Sequence, residues 1–399
     1  MMSKQDSHMA RAYLKKRFGC WSIAGVPLGK EADAINDGVA LLILSTCDLI
    51  DAHTGDSNVF RYRAEKVFSS LSDVMALQKD LKTYVNLWRN IESSTVQDFV
   101  SEISEESVLW PILPCVVEYS TTRSVFAFQI VHHYLSFLGK MPSNNPSLRE
   151  EAIAAYLFQE TRLSSLVLND RYVDDLKLIV SEWFSDFRPT GLPDHGPGST
   201  ADAGPSLQEK FSALGWDELF LLAPEWNSWF GPDATRSFLR RSKVILVPKT
   251  SLSLRTISEE PATLQYWQKP VQLGFDRIFR TTEMKYHIDL HDQEISRSFA
   301  LRASATGLYS TLDLSAASDS VSLTLVERIF PWDVLRFLIA TRSSETELPD
   351  GQIVALKKFA PMGSSVCFPL ECTVFCAMCE VVARRHRLSD VERRNAYTV

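Results

Sequence analysis

Along the first half of the chain, apolar residues recur at steps of four and three. Val67, Leu71, Val74, Gln78, Leu81, Val85 and Trp88 form one such series, apolar except at Gln78, and predict one face of a long helix. The stretch SVFAFQIVHHYLSFLG, residues 124–139, is apolar nearly all round and predicts a buried helix. SLREEAIAAYLFQE and VDDLKLIVSEWFSDF predict two more amphipathic helices. The pattern then breaks at RPTGLPDHGPGSTADAGPS, residues 188–206, which holds four glycines and four prolines. This is a long loop, of the kind that carries function in compact proteins or else links two parts of a chain.

Beyond the loop the pattern changes. VILVPK, residues 244–249, is β-branched and predicts a strand, followed by a helix from about Pro261 to Phe279. The segment 309–314 alternates and predicts a strand. Residues 320–330 predict a helix whose start is marked by Ser318, Asp319 and Ser320. GQIVALKKF, residues 351–359, reads as one side of a hairpin. Pro369 opens a helix to Arg387 with Leu370, Val374, Met378 and Val381 facing inward.

Composition adds little by itself. The 399 residues are 45% apolar and 23% charged, ordinary for a globular chain of two or three subdomains. The first residues contain no apolar run of signal-peptide length, and no tract approaches the ~20 apolar residues that span a bilayer. A soluble chain without an export signal and without a membrane partner is expected. Seven cysteines in such a chain read as free thiols. Cys372, Cys376 and Cys379 follow helical spacing and read as small core residues, because no second ligand pair follows at zinc-site spacing. His132 and His133 are neighbours on a helix and point to different faces, so they make a poor shared metal site.

Charge changes the picture locally. The chain has a net charge of −7, yet Arg236, Arg240, Arg241, Lys243, Lys249 and Arg255 follow one another with no acidic residue between them. Such a segment either focuses a positive field on a phosphate-rich ligand or forms a solvated face.

The candidate chemistry lies in YSTLDLSAASDSVSL, residues 309–323. Asp313 ends the alternating run and is followed by small residues. A carboxylate with free space beside it suits Mg²⁺, which takes one or two carboxylates and keeps positions for water and phosphate. A residue that simply begins a turn is the other reading. Position 315 is serine, which argues against the Asp-x-Asp pattern of aspartyl-phosphate hydrolases. Lys249 and Arg255 are six apart after a strand, and two such cations can hold a triphosphate. Gly363, Ser364 and Ser365 form a small-residue turn before a helix, able to flex and to meet a sugar or a template backbone.

Taken in order, VPKTSLSLRTISEEP, IDLHDQEISRSFA, TLDLSAASDSVSL, LPDGQIV and PMGSSVCFPLEC resemble the polymerase motifs F, A and B, with their neighbours, of the replicase catalytic subunit of single-stranded RNA phages, the leviviruses. HGPGSTAD, residues 195–202, is similar to that family's Gly-Pro-Gly loop. The resemblance runs from about 190 to 399. It implies an α+β right-hand polymerase fold, with helix-rich fingers and part of a palm bearing an antiparallel sheet. The expected divisions are a helical N-terminal or fingers region at 1–190, fingers with the Gly/Pro loop and basic motif at 191–307, and the first part of the palm at 308–399.

By the same resemblance, Asp313 is the metal ligand, with Mg²⁺ as the cofactor and Mn²⁺ as the alternative cation. Lys249 and Arg255 contact nucleotide phosphates, Asp319 lies near the ribose, and Gly363, Ser364 and Ser365 form the motif B loop. The family's Gly-Asn-Gly stands here as Gly-Ser-Ser, and serine reaches less far than asparagine. The family's Tyr-Gly-Asp-Asp hairpin would follow the closing NAYTV, so the chain is expected to stop before its motif C hairpin and thumb. Tyr172-Val173-Asp174-Asp175 has a similar look, but it falls at a helix N-terminus. The expected activity is template-directed RNA synthesis from NTPs in the cytoplasm of an infected bacterium. The implied partners are RNA template and product, host elongation factors Tu and Ts, and ribosomal protein S1. The alternative is a non-catalytic RNA-binding fragment of a replicase.

Overall fold

The structure is a computed structural model, described here for Thr46, Ile50 and residues 95–101, 103, 109, 112–137, 146–215, 219–229, 238–250, 253–292 and 294–399. The chain divides into two units: 1–149 with 248–255, and 150–247 with 256–399. The helix expected around 67–88 lies outside the described residues.

In the first unit the helices Leu113–Thr122 and Val125–Phe137 pack together. Arg123 joins them with a left-handed backbone, and its N–H closes the first helix on the Tyr119 carbonyl at 3.0 Å. The second helix buries Ala127, Val131, Tyr134 and Leu135, but Val125 is exposed. The helix Val125–Phe137 is therefore one-sided rather than buried all round.

The second unit has the main core. The helices Asp170–Trp183, Ala262–Thr281, Leu323–Ile329, Trp332–Ala340 and Cys367–Arg385 supply most of it. Helix Asp170–Trp183 buries Val173, Leu176, Ile179, Val180 and Trp183, an i, i+3, i+6, i+7, i+10 face. Phe184 meets Phe275 and Phe330 edge-on at 5.1 and 5.3 Å, and Trp226 stacks on Trp267 at 4.4 Å. Tyr172 to Asp175 lie within this helix, where Val173 faces the core, Tyr172 and Asp174 are exposed and Asp175 pairs with Arg385, so the Tyr-x-Asp-Asp look-alike is part of an amphipathic helix.

The strands β1 (Arg241–Thr250), β2 (Ser253–Glu259), β3 (Glu345–Glu347) and β4 (Ile353–Ala355) form one sheet in the order β2-β1-β3-β4. The fold is α+β as expected, but the sheet is mixed rather than antiparallel. β3 runs antiparallel to β4 and parallel to β1, with Arg241 opposite Glu345. The long helical connection between β1 and β3 permits this, because a parallel pair needs a crossover.

Three local expectations are corrected. Residues 308–314 form no strand, and Leu312 and Leu314 are exposed. Alternation makes a strand only where a neighbouring segment supplies ladder hydrogen bonds, and no described segment does so here. The helix expected from 320 begins at Leu323, capped by Ser322 Oγ accepting from the Leu325 N–H at 3.1 Å; Ser318–Ser320 is a separate 3₁₀ turn. In Cys367–Arg385, Leu370, Val374 and Val381 are buried but Met378 is 41% exposed. Cys372 and Cys376 are free and buried, and burial pushes the Cys372 thiol up to about 12. They pack as small apolar residues, consistent with their spacing.

Phe275 is fully buried at the centre of the aromatic cluster. Replacing it with alanine is expected to cost about 3–5 kcal/mol, measured as a lower urea midpoint followed by tryptophan fluorescence.

Candidate functional site

The second unit gathers Asp319 and the 363–365 turn around one short segment, Leu356–Ala360. In that segment Leu356, Lys358, Phe359 and Ala360 are all buried and only Lys357 is exposed; Lys358 has 0% exposure. The Phe359 N–H donates to the Val321 carbonyl and the Leu323 N–H to the Lys357 carbonyl, both at 2.8 Å. The strip after Asp319 is thus tied by its backbone to the strip before the 363–365 turn.

A buried ammonium needs compensation. Lys358 Nζ donates to Asp319 Oδ1 at 2.9 Å, lies 3.2 Å from Glu160 Oε1, and sits 3.6 Å from the Tyr156 ring centroid. Glu160 Oε2 accepts from the Lys357 N–H at 2.6 Å. Gln159 Nε2 donates to the Asp319 carbonyl at 3.1 Å and to Ser320 Oγ at 3.0 Å. Tyr156, Gln159 and Glu160 are i, i+3 and i+4 on helix Pro146–Ser164, so one helical face holds both strips. Arg342 holds the same segment from elsewhere. Its Nε donates to the Phe359 carbonyl at 2.9 Å and its Nη2 to the Lys358 carbonyl at 3.1 Å. Burial pushes the Arg342 guanidinium down to about 10, so it stays charged at neutral pH.

The turn that delivers Asp319 explains its small residues. Ala316 has a left-handed backbone at φ 52°, and Ser320 Oγ donates to its carbonyl at 2.8 Å. A bulkier or β-branched side chain at 316 would be more strained there. Asp319 itself keeps 21% of its side chain exposed. Glu371 stands nearby, its carboxyl raised first by burial and then by the Asp319 charge.

The 363–365 turn is fastened to the helix Ala262–Thr281 and to β2. Gln268 is fully buried. Its Oε1 accepts from the Ser365 N–H at 3.0 Å and from Ser365 Oγ at 3.2 Å, while its Nε2 donates to the Thr341 carbonyl at 2.9 Å. The Ser258 N–H donates to the Met362 carbonyl at 2.7 Å. Gly363 has φ +127°, and a Cβ there would lie 2.1 Å from the Ser258 carbonyl oxygen; only glycine fits. Ser364 is buried, and its Oγ accepts from the Val366 N–H at 3.4 Å at the start of the following helix.

Asp313 stands apart from this network. It is exposed on the extended 308–314 segment, with no ion pair or hydrogen bond among the described residues. An open, unpaired carboxylate is a suitable single donor for a hard cation. Among the described residues, no three His, Cys, Asp or Glu side chains converge as a complete metal site would require.

Lys249 and Arg255 belong to the tip of the β1–β2 hairpin, which groups with the first unit. Both are exposed and make no ion pair among the described residues. The rest of the basic segment divides. Lys243 is exposed, and Arg236 lies outside the described residues. Arg241 pairs with Glu345 at 2.7 Å. Arg240 Nη2 donates to the carbonyls of Ile339, Ala340 and Arg342 at 2.6, 2.5 and 3.1 Å, a cation on the last carbonyls of a helix. These two arginines are structural, which a charge count does not reveal.

In the second unit Glu260 is buried and accepts from the Ser343 hydroxyl. Burial pushes its carboxyl up to about 7, against the lowering influence of Ser343, Arg342 and Arg240.

Residues 228–392 match the family model described as RNA replicase, beta-chain. The RNA-directed RNA polymerase subunit beta of Enterobacteria phage SP is 38% identical over 141 residues, 35% of this chain and 24% of that protein. The subunit of the same name from Escherichia virus Qbeta is 38% identical over 145 residues, again 35% and 24%. The RNA-directed RNA polymerase beta chain of Escherichia phage MS2 is 34% identical over 135 residues, 34% and 24%. The matches thus span about a quarter of the length of these curated relatives. Residues 228–392 are thus similar in sequence to the RNA replicase beta-chain family.

Gly363→Ala is expected to destabilise the chain by ~2 kcal/mol or more through backbone strain and the Ser258 clash, read as a lower urea midpoint. A pH prediction follows from Glu260. Its folded value of about 7 exceeds its ordinary 4.5, so the folded chain binds more protons between those limits. Its contribution is complete below about pH 4.5 and is lost as pH rises towards 7. Glu260→Gln should remove that part of the slope in a denaturation series from pH 4.5 to 7.

Proposed function

We propose that this chain takes part in template-directed RNA synthesis as nucleotide- and template-binding sequence of a phage-type RNA-directed RNA polymerase. One observation carries the reading. Asp319 and the Gly363 turn, distant in sequence, are fastened to adjoining strips of one unit, inside the segment similar in sequence to the replicase family. In this reading Asp319 accepts a hydrogen bond from the ribose of the incoming NTP. Gly363, Ser364 and Ser365 form the turn beside the template or sugar. Lys249 and Arg255 bind the triphosphate. Asp313 is the residue that would hold Mg²⁺, or Mn²⁺ in its place; the cation would neutralise charge on the reacting phosphates. RNA template, RNA product and NTPs are the ligands. Elongation factors Tu and Ts, ribosomal protein S1 and the cytoplasm of an infected bacterium complete the proposal.

A second reading is RNA binding without synthesis, favoured by the absence of a converged carboxylate cluster among the described residues. Primer extension by the full chain, with Mg²⁺ and a template–primer RNA, separates the two. Incorporation rejects the binding-only reading. RNA and NTP binding without incorporation favours it, and failure to bind either overturns both. Where incorporation occurs, Asp313→Asn should abolish it, and unchanged turnover removes the metal role. Lys249→Ala with Arg255→Ala should weaken NTP binding by about tenfold or more, since each lost charge-assisted contact is worth ~1.5–3 kcal/mol. Unchanged affinity contradicts the assignment.

A further inference from the structure

The buried lysine is a group that the proposed chemistry does not use directly. Lys358 is fully enclosed, yet its ammonium contacts the one Asp319 oxygen that is bonded. Glu160 and the Tyr156 ring complete its cage. We infer that Lys358 is a positioning residue for ribose selection, holding the Asp319 carboxylate in one orientation so that it receives a ribose hydroxyl. The inference rests on the polymerase reading above.

The geometry supports it in three ways. First, Asp319 is restrained at both ends: Lys358 binds its carboxylate, and Gln159 binds its backbone carbonyl. Second, the bonded oxygen is Oδ1, while the carboxylate remains partly exposed. The lysine can therefore orient the group without consuming its capacity as an acceptor, since an ionised carboxylate has about four lone-pair sites. Third, the ammonium is itself immobilised by a second carboxylate and an aromatic face. One cation lies between the two carboxylates, with Glu371 near Asp319 as a further acidic group, and of the two partners of Lys358 Asp319 is the one that keeps part of its side chain exposed. Such a site accepts hydrogen bonds and does not donate them. It favours a sugar with a hydroxyl donor over one that lacks it. Arg342 fixes the Lys358 backbone at its carbonyl, which further limits drift.

The test is equilibrium binding of GTP and 2′-deoxyGTP to the full chain, with Mg²⁺ and a template–primer RNA present. Folding of each variant is checked by circular dichroism. Wild type should prefer GTP. Lys358→Met should lose about tenfold or more of that preference, mainly through weaker GTP binding, because a displaced acceptor forfeits the hydroxyl contact. Lys358→Arg should restore part of it. A merely structural role would lower the affinity for both nucleotides alike, and that outcome, or an unchanged preference in folded Lys358→Met, overturns the inference. Lys358→Met can strand two acidic groups, so Lys358→Met with Glu160→Gln removes one charge of each sign and is read the same way. Should both fail to fold, Lys358→Gln with Glu160→Gln, which removes the ion pairs but keeps polar groups in the cage, is read in the same way; an unchanged GTP preference there overturns the inference as well. Wild type that binds no NTP overturns the polymerase reading itself, whereas wild type that binds GTP and 2′-deoxyGTP equally overturns only the ribose assignment and this inference.

Discussion

A positive charge enclosed away from water must be met on every side, and Lys358 imposes that requirement on this fold. Its ammonium draws together Asp319 from the turn after 308–314, Glu160 and Tyr156 from a helix far earlier in the chain, and its own strip leading to Gly363. Such an arrangement need not be the most stable solution. Well-packed apolar residues can equal or exceed a buried ion pair, while removing one partner commonly costs ~3–5 kcal/mol. What the ion pairs supply is direction. An apolar side chain at 358 could fill the space, but it could not specify where the Asp319 carboxylate points.

The surrounding polar groups extend the same logic. Arg342 binds three carbonyls of the 356–359 strip, at Leu356, Lys358 and Phe359. Gln268 uses both ends of its amide, one on Ser365 and one on Thr341. Arg342 and Gln268 thus spend buried donors and acceptors mainly on backbone groups outside the sheet and helix ladders. The candidate site is therefore made of irregular chain held by side chains from helices, Tyr156, Gln159, Glu160 and Gln268, and by Arg342 from the turn before β3. This explains why short strands β3 and β4 suffice: the segments that matter are fixed from behind, not by a wide sheet.

Much of this was legible in the sequence, but unevenly. The helices at 146–164, 170–183, 262–281 and 367–385 follow from their apolar spacing, and the 188–206 loop from its glycines and prolines. The strand expected at 309–314 failed because alternation describes a side-chain pattern, not a hydrogen-bond partner. Asp319 and Gly363 were singled out by motif resemblance, but the residues that hold Asp319 were not. A signal existed. Tyr156, Gln159, Glu160 and Leu163 share one helical face, and all four are buried. Two long polar residues on an otherwise inward face announce a buried polar partner. Likewise Lys358 stands between Leu356 and the pair Phe359 and Ala360, all of them buried, an apolar setting that draws it inside. Neither pattern alone names its counterpart, because the pairing spans nearly two hundred positions of chain.

The basic segment makes the complementary point about charge. Read linearly, its six cations form one positive field. In the fold, Arg240 is consumed by the carbonyls that end helix Trp332–Ala340, and Arg241 by Glu345 across the β1–β3 pair. Lys249 and Arg255, nearer the hairpin tip, remain exposed. Arg240 and Arg241 thus hold the start of β1 in place, while Lys243, Lys249 and Arg255 stay exposed. The acidic residues divide in the same manner: Glu160 and Glu260 are buried and structural, Asp319 is half in and half out, and Asp313 is open. Function is therefore sought where a charge is fixed by the fold yet still partly unspent. Asp319 meets that condition most fully, because one carboxylate oxygen is held by a buried lysine while part of the side chain stays exposed.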